Sequence, residues 1–159
     1  MTAPAGPRRV DVAAAYDLGV DAYVSLWSPV ILPPAQAVVA GLGLEGTPRV
    51  LDIGAGPGSL VSSILDVAPT AEVVALDASI EMLRAAADRT AARGVNGDAL
   101  ALPIGAATVY TVLCTFVLFH LSDPSQAIAE AARVLRTGGR LGTVTWGREG
   151  ATKASAVWE

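Results

Sequence analysis

A single cysteine, Cys114, stands in the whole chain, so no intramolecular disulfide can form and a reducing compartment is the expected setting. With one histidine, His120, and no C-x-x-C or H-x-x-x-H spacing, no metal site is expected. Aromatic residues make up only 5% of the sequence, so the core has to be built from Ala, Val and Leu. Basic residues are scarce too: 11 Lys and Arg against 15 Asp and Glu give a net charge of -4, with only Arg8 and Arg9 adjacent. Nucleic-acid backbones are gripped by a basic face, so nucleic acid is not an expected partner.

Charge is missing altogether from residues 22–44 and 99–122, each long enough to cross a bilayer. Pro29, Pro33, Pro34 and polar Ser25, Ser28 and Gln36 interrupt the first run. The second carries Pro103, Gly105 and three threonines, and its densest part reads as a buried parallel strand. Asp11, Asp17 and Asp21 leave no apolar region behind Arg8 and Arg9 for an export signal. A soluble, cytoplasmic protein without a membrane partner is expected.

What is present is one domain's worth of chain, 159 residues at 52% hydrophobic, enough to bury a core without staples. Residues 1–48 read as an N-terminal helical cap, with helical stretches broken by proline and then a glycine-rich connector. A regular alternation follows over residues 49–147. Strands are expected at 49–53, 72–77, around 95–96, at 109–115 and at 140–146, with helices between them. The helix opening at Ser79 should bury Ile80, Leu83, Arg84 and Ala87. Asp123 caps another, Pro124 takes its first position, and Ile128, Ala131, Ala132 and Leu135 form its face up to Gly138 and Gly139. This alternation predicts an α/β domain, a doubly wound, mostly parallel sheet with helices on both faces. Residues 148–159 form a short tail.

The most informative segment is Val50-Leu51-Asp52-Ile53-Gly54-Ala55-Gly56-Pro57-Gly58-Ser59, a strand running into a glycine-rich turn and a helix. Such a turn lies at the carboxyl ends of the strands, where doubly wound sheets bind ligands. A G-x-G-x-x-G dinucleotide fingerprint requires its third glycine at position 59, which is Ser59. Asp52, two residues before the first glycine, repels a pyrophosphate and suits a cation.

These residues resemble the class I S-adenosylmethionine-dependent methyltransferases, and within them the small-molecule branch similar to quinone C-methyltransferases. VLDIGAGPGSL, ALDASIEML, GDALALP, TFVLFHL and EAARVLRTGGRL follow the family's motifs in order across residues 50–146. The resemblance implies a Rossmann-like sheet of strand order 3-2-1-4-5 and S-adenosyl-L-methionine as cofactor, with S-adenosyl-L-homocysteine as product. It implies that Asp77 accepts from the ribose hydroxyls and that Asp98 and Ala99 read the adenine, with Met82 or Ile80 on its face and Ala78 beside it. Asp52 and the backbone at Gly54, Ala55, Gly56 and Gly58 would line the methionine moiety, and Thr115 and Phe116 its far end. Tyr16 resembles a tyrosine folded over the cofactor, though Tyr23 and Trp27 could serve equally.

Methyl transfer from a sulfonium is an in-line displacement, so the protein chiefly aligns donor and acceptor. His120, at the mouth of the fourth strand, is the candidate base for a hydroxyl or enol acceptor. Three readings stand: a small-molecule methyltransferase, a cofactor-binding fragment without turnover, and, more distantly, a nicotinamide oxidoreductase. The family carries two further strands after the fifth, and residues 150–159 are too few to supply both. A truncated chain is therefore expected, with its fifth strand an edge through which it pairs as a homodimer.

Overall fold

The computed structural model describes residues 9–147, which contain a five-stranded sheet of order β3-β2-β1-β4-β5. The strands are β1 (Arg49–Ile53), β2 (Glu72–Asp77), β3 (Arg93–Asn96), β4 (Val109–Thr115) and β5 (Leu135–Val144). All neighbours pair in parallel. The chain winds from β1 outward to β3, then returns to place β4 on the other side of β1. That reversal opens a crevice at the carboxyl ends of β1 and β4, where the glycine-rich turn lies. The doubly wound fold and its strand order are as expected.

Alternation along each strand divides the core in two. Val50, Val73 and Leu113 pack with Ala35 and Val39 of α3 (Ser28–Gly41) and Val61 and Ile64 of α4 (Val61–Val67). Leu51, Ile53, Val74, Leu76, Val112 and Cys114 pack on the opposite face with Ala131 and Val134 of α6 (Pro124–Val134). Cys114 is thus a buried small hydrophobe, and burial pushes its thiol up to about 12.

Several expected details are corrected. Prolines do not break the first uncharged run: α1 (Arg9–Leu18) ends at Gly19, α2 (Val20–Ala22) enters a π-helical turn at Tyr23–Trp27, and α3 continues through Pro33 and Pro34. These prolines cannot donate to the carbonyls of Pro29 and Val30, but both of those residues are exposed, so water can satisfy them. By length and composition alone, Val20–Gly41 is the one described helical stretch that would cross a bilayer. Here Ser28, Ala35 and Val39 turn inward from it.

In α5 (Ile80–Arg89) the buried residues are Met82 and Ala86, while Ile80, Arg84 and Ala87 are exposed. The start of α4 packs on this side, bringing Ala86 against Gly58. α6 buries Ala127, Ala131 and Val134 and leaves Ala132 exposed. It also ends before the two glycines, because Leu135 already pairs with Val109 as the first residue of β5. The register then jumps to Thr111 opposite Arg140, so residues 136–139 bulge out and Gly138 turns the chain at φ +78°.

Close approach fixes one glycine of β5. A Cβ on Gly142 would lie 2.5 Å from Leu42 Cδ1 and 2.6 Å from Val38 Cγ1. Gly142→Val should therefore push α3 off the sheet and cost about 2–3 kcal/mol, the scale of overpacking. A urea-unfolding midpoint equal to that of the unaltered protein would refute this close packing.

Candidate active site

The chain leaves β1 at Ile53 and crosses Gly54, Gly56 and Gly58 at φ +68°, +54° and +76°. Side chains disfavour this region, but the three glycines face different surroundings. A Cβ on Gly54 would fall 2.2 Å from Val117 Cγ2, and one on Gly58 would fall 2.9 Å from Thr90 Cγ2 and 3.2 Å from Ala86 Cβ. At Gly56, itself buried, the nearest atom is Tyr23 Cε1 at 3.6 Å, an ordinary contact. Packing demands glycine at 54 and 58; at 56 a Cβ would meet only the Tyr23 ring.

The turn is tied to the end of β2. Gly54 N and Ala55 N both donate to Leu76 O, at 2.7 and 3.1 Å. Gly56 N donates to Asp77 Oδ2 at 2.8 Å, and Ser79 N to Asp77 Oδ1 at 2.9 Å. Burial holds the Asp77 carboxyl above its ordinary value, opposed by backbone donation from Ser79, Gly56 and Ala78 and reinforced by the charge of Asp17. Each carboxylate oxygen retains acceptor capacity beyond these bonds.

Asp52 lies deeper, only 2% exposed, in the middle of the sheet. Burial, and then the negative charge of Asp77, push its carboxyl up to about 7. Among the described residues no Lys or Arg pairs with it. It lines a space of about 30 Å³ together with Tyr23, Gly54, Pro57, Ser59 and Thr115, and no cationic side chain lines that space. A buried carboxylate beside the glycine turn, without a counter-ion, is suited to receive a cation.

A roof covers the turn. Tyr23, from the π-helical turn, stands over Gly56, and Tyr16 meets it edge-on with ring centroids 5.5 Å apart at 79°. The Tyr16 hydroxyl lies 2.9 Å from His120 Nε2, and the imidazole leans on Phe119 at 3.9 Å. Burial lowers the His120 pKa, favouring the neutral ring, whose Nε2 shares this hydrogen bond with the Tyr16 hydroxyl. Burial raises both tyrosines, with the carboxylate charge of Asp77 adding to it, so their hydroxyls stay protonated.

The profile of the methyltransferase-domain family matches residues 51–143, more than half of the chain. The chain belongs to this family. Over 129 residues it is 35% identical to a malonyl-[acyl-carrier protein] O-methyltransferase of Methylococcus capsulatus, covering 77% of this chain and 47% of that protein. Over 110 residues it is 36% identical to the ubiquinone/menaquinone biosynthesis C-methyltransferase UbiE of Syntrophotalea carbinolica, covering 66% of this chain and 46% of that protein. The chain thus spans about half the length of these curated relatives. The fold is also that of the methyltransferase solved in complex with the Haloferax volcanii Trm112 activator, with a TM-score of 0.77 at 24% identity over 82% of this chain and 59% of that one.

The cofactor of this class I methyltransferase domain is S-adenosyl-L-methionine, and the residues at the turn fit it. Asp52 offers a buried negative charge to its cationic end, and Asp77 spare acceptor capacity for hydroxyls. The other expected residues lie at or beyond the ends of β2, β3 and β4, with differing exposure. Thr115 closes β4, and Phe116 follows it at φ +56°, donating its N–H to Val144 O and packing on Trp146 at 4.7 Å. A non-glycine residue held at positive φ beside a ligand crevice is strain of the kind that functional sites keep. Asp98 makes a turn by accepting from Leu100 N at 2.8 Å, and Ala99 is buried in the core. Ala78 is exposed. Met82 is fully covered, whereas Ile80 is 48% exposed. Sequence reading did not single out Asp17, whose carboxylate meets α5; its only signal was adjacency to Tyr16.

Proposed function

We propose that the methyltransferase domain holds S-adenosylmethionine across the carboxyl ends of β1, β2 and β4 and aligns its methyl group with a small-molecule acceptor. Asp52 carries this reading: a buried carboxylate without a counter-ion, beside the glycine turn, makes the crevice a cation site. The cofactor, when bound, supplies a methyl group activated on a sulfonium, which no protein nucleophile or metal has to activate.

The chain's own residues bind and orient. Asp77 accepts from the ribose hydroxyls in charge-assisted bonds, while Gly56 and Ser79 hold its carboxylate in place. Asp52, with the backbone at Gly54, Ala55, Gly56 and Gly58, faces the charged amino-acid end. Asp98, Ala99, Ala78 and the Ile80–Met82 turn border the adenine, and Thr115 and Phe116 flank the methionine end. Residues 9–48 act as the cap and residues 49–147 as the cofactor-binding core. His120 stands on the acceptor side. Its Nε2 is engaged by Tyr16, so an acceptor hydroxyl would replace the tyrosine there before losing its proton to the imidazole. The two curated relatives are named for O- and C-methylation of different acceptors, so the donor side is what this domain shares with both.

Calorimetric titration with S-adenosylhomocysteine tests the assignment. Asp77→Ala should weaken binding by about 2–3 kcal/mol, or roughly 30- to 150-fold, the scale for losing charged hydrogen bonds in a covered site. NADH should give no heat. An unchanged dissociation constant in Asp77→Ala, or NADH binding in preference, would remove the ribose role.

A further inference from the structure

One chain of hydrogen bonds joins the N-terminal helices to the cofactor crevice, and Ser79 is its middle member. Ser79 Oγ donates to Asp17 Oδ1 at 2.5 Å while accepting from Met82 N at 3.1 Å as the N-cap of α5. Its own N–H donates to Asp77, whose other oxygen takes Gly56 N. Asp17 Oδ1 also accepts from Glu81 N at 3.3 Å, so this one carboxylate fastens α1 onto the first turn of α5.

Leu18 is 92% exposed and Leu26 67%, and among the described residues neither α2 nor the π-helical turn contributes a fully buried one. The segment also meets the core through Tyr16 and His120 and, at the start of α3, through Ser28 Oγ and Ser59 Oγ at 3.1 Å. Tyr23 of this segment lies over Gly56 and also lines the space of about 30 Å³ beside Asp52, so the segment covers the turn.

We propose that Asp17 is a positioning residue that latches residues 9–27 over the cofactor crevice through Ser79, and that cofactor enters and leaves only when this latch opens. The proposal rests on the cofactor reading above. Helical hydrogen bonding already changes at Gly19 and at the Tyr23–Trp27 turn, which lets α1 and α2 lift while Ala35 and Val39 keep α3 in the core. The latch closes on Ser79, whose N–H also donates to Asp77, so it lies at the ribose end of the crevice.

Stopped-flow binding of S-adenosylhomocysteine, read by tryptophan fluorescence, separates a latch from a merely structural contact. In Asp17→Ala both the association and dissociation rate constants should rise about tenfold, leaving the dissociation constant within about threefold of the unaltered protein. Asp17→Asn, which keeps an acceptor oxygen, should fall between the two. Without any ligand, amide exchange across residues 9–27 should speed up in Asp17→Ala while residues 49–77 stay unchanged. Faster dissociation with slower association, or unaltered exchange over residues 9–27, would overturn the latch. If the unaltered protein fails to bind S-adenosylhomocysteine, the cofactor reading falls, and the ligand-free exchange still decides whether Asp17 holds the segment.

Discussion

Asp52→Asn should stabilise the cofactor-free protein above neutral pH while weakening its grip on the cofactor. The carboxyl has an ordinary value of 3.8 and is pushed up to about 7 in the fold, by burial and then by Asp77. Between those values the folded state keeps a proton that the unfolded chain has released. The stability from Asp52 is therefore fully present below pH 3.8 and is lost as pH rises through about 7. The loss is on the order of 2–4 kcal/mol, since each tenfold difference in proton affinity between the folded and unfolded chain is worth about 1.4 kcal/mol. Asparagine keeps the shape and cannot ionise, so the part of the pH dependence that Asp52 contributes should vanish across that window.

A bound cation reverses the sign, because an ionised Asp52 then has a counter-charge in its low-dielectric surroundings. S-adenosylhomocysteine should thus protect the unaltered protein more at pH 8 than at pH 5, and Asp52→Asn should lose most of that difference. Urea unfolding at both pH values, with and without ligand, measures all four quantities. A variant less stable than its parent at pH 8 would mean that Asp52 is satisfied in the fold rather than waiting for a cation.

Legibility in the sequence followed burial. β2 and β4 run over residues 72–77 and 109–115 as read, because a parallel strand covered on both faces needs an uninterrupted apolar run that turn residues bound sharply. Ser79 and Asp123 cap their helices as expected, since a side-chain oxygen reaching the third N–H ahead is a local matter. Asp52, the glycines and Asp77 likewise meet at one place, because a strand order with β1 between β2 and β4 brings their carboxyl ends together.

What failed to show was set by tertiary contact. Nothing local says that α3 survives Pro33 and Pro34; burial of Ala35 and Val39 beyond them outweighs the lost donors. The face of α5 turned toward Met82 and Ala86 because the glycine turn packs there, a neighbour the periodicity of one helix cannot name. The Asp17–Ser79 bond spans 62 residues, and nothing in the sequence sets Asp17 apart from Asp11 and Asp21 beside it.

Gly54→Ala and Gly56→Ala, two residues apart in one turn, should fail in different ways. Each alanine is placed at positive φ, +68° and +54°, which costs about 1–2 kcal/mol in either case. At Gly54 the new methyl also lands 2.2 Å from Val117 Cγ2 and 3.4 Å from Val117 Cβ. Val117 is packed against the core cluster under α6, so it can yield only by disturbing that packing, at about 1–3 kcal/mol more. The sum, roughly 2–5 kcal/mol, is a large share of the ~5–15 kcal/mol that holds a domain folded. At Gly56 the methyl meets nothing nearer than Tyr23 Cε1 at 3.6 Å, an ordinary contact, so stability should drop by the backbone strain alone. That methyl instead enters the layer between the turn and Tyr23, where the cofactor is proposed to lie, and affinity for S-adenosylhomocysteine should fall about 100-fold, since sub-ångström displacement breaks hydrogen bonds at the turn. Urea midpoints for the first variant and calorimetry for the second separate the two roles. If Gly56→Ala binds as tightly as its parent, the ligand does not lie on the turn, and Asp52 faces something other than the cofactor.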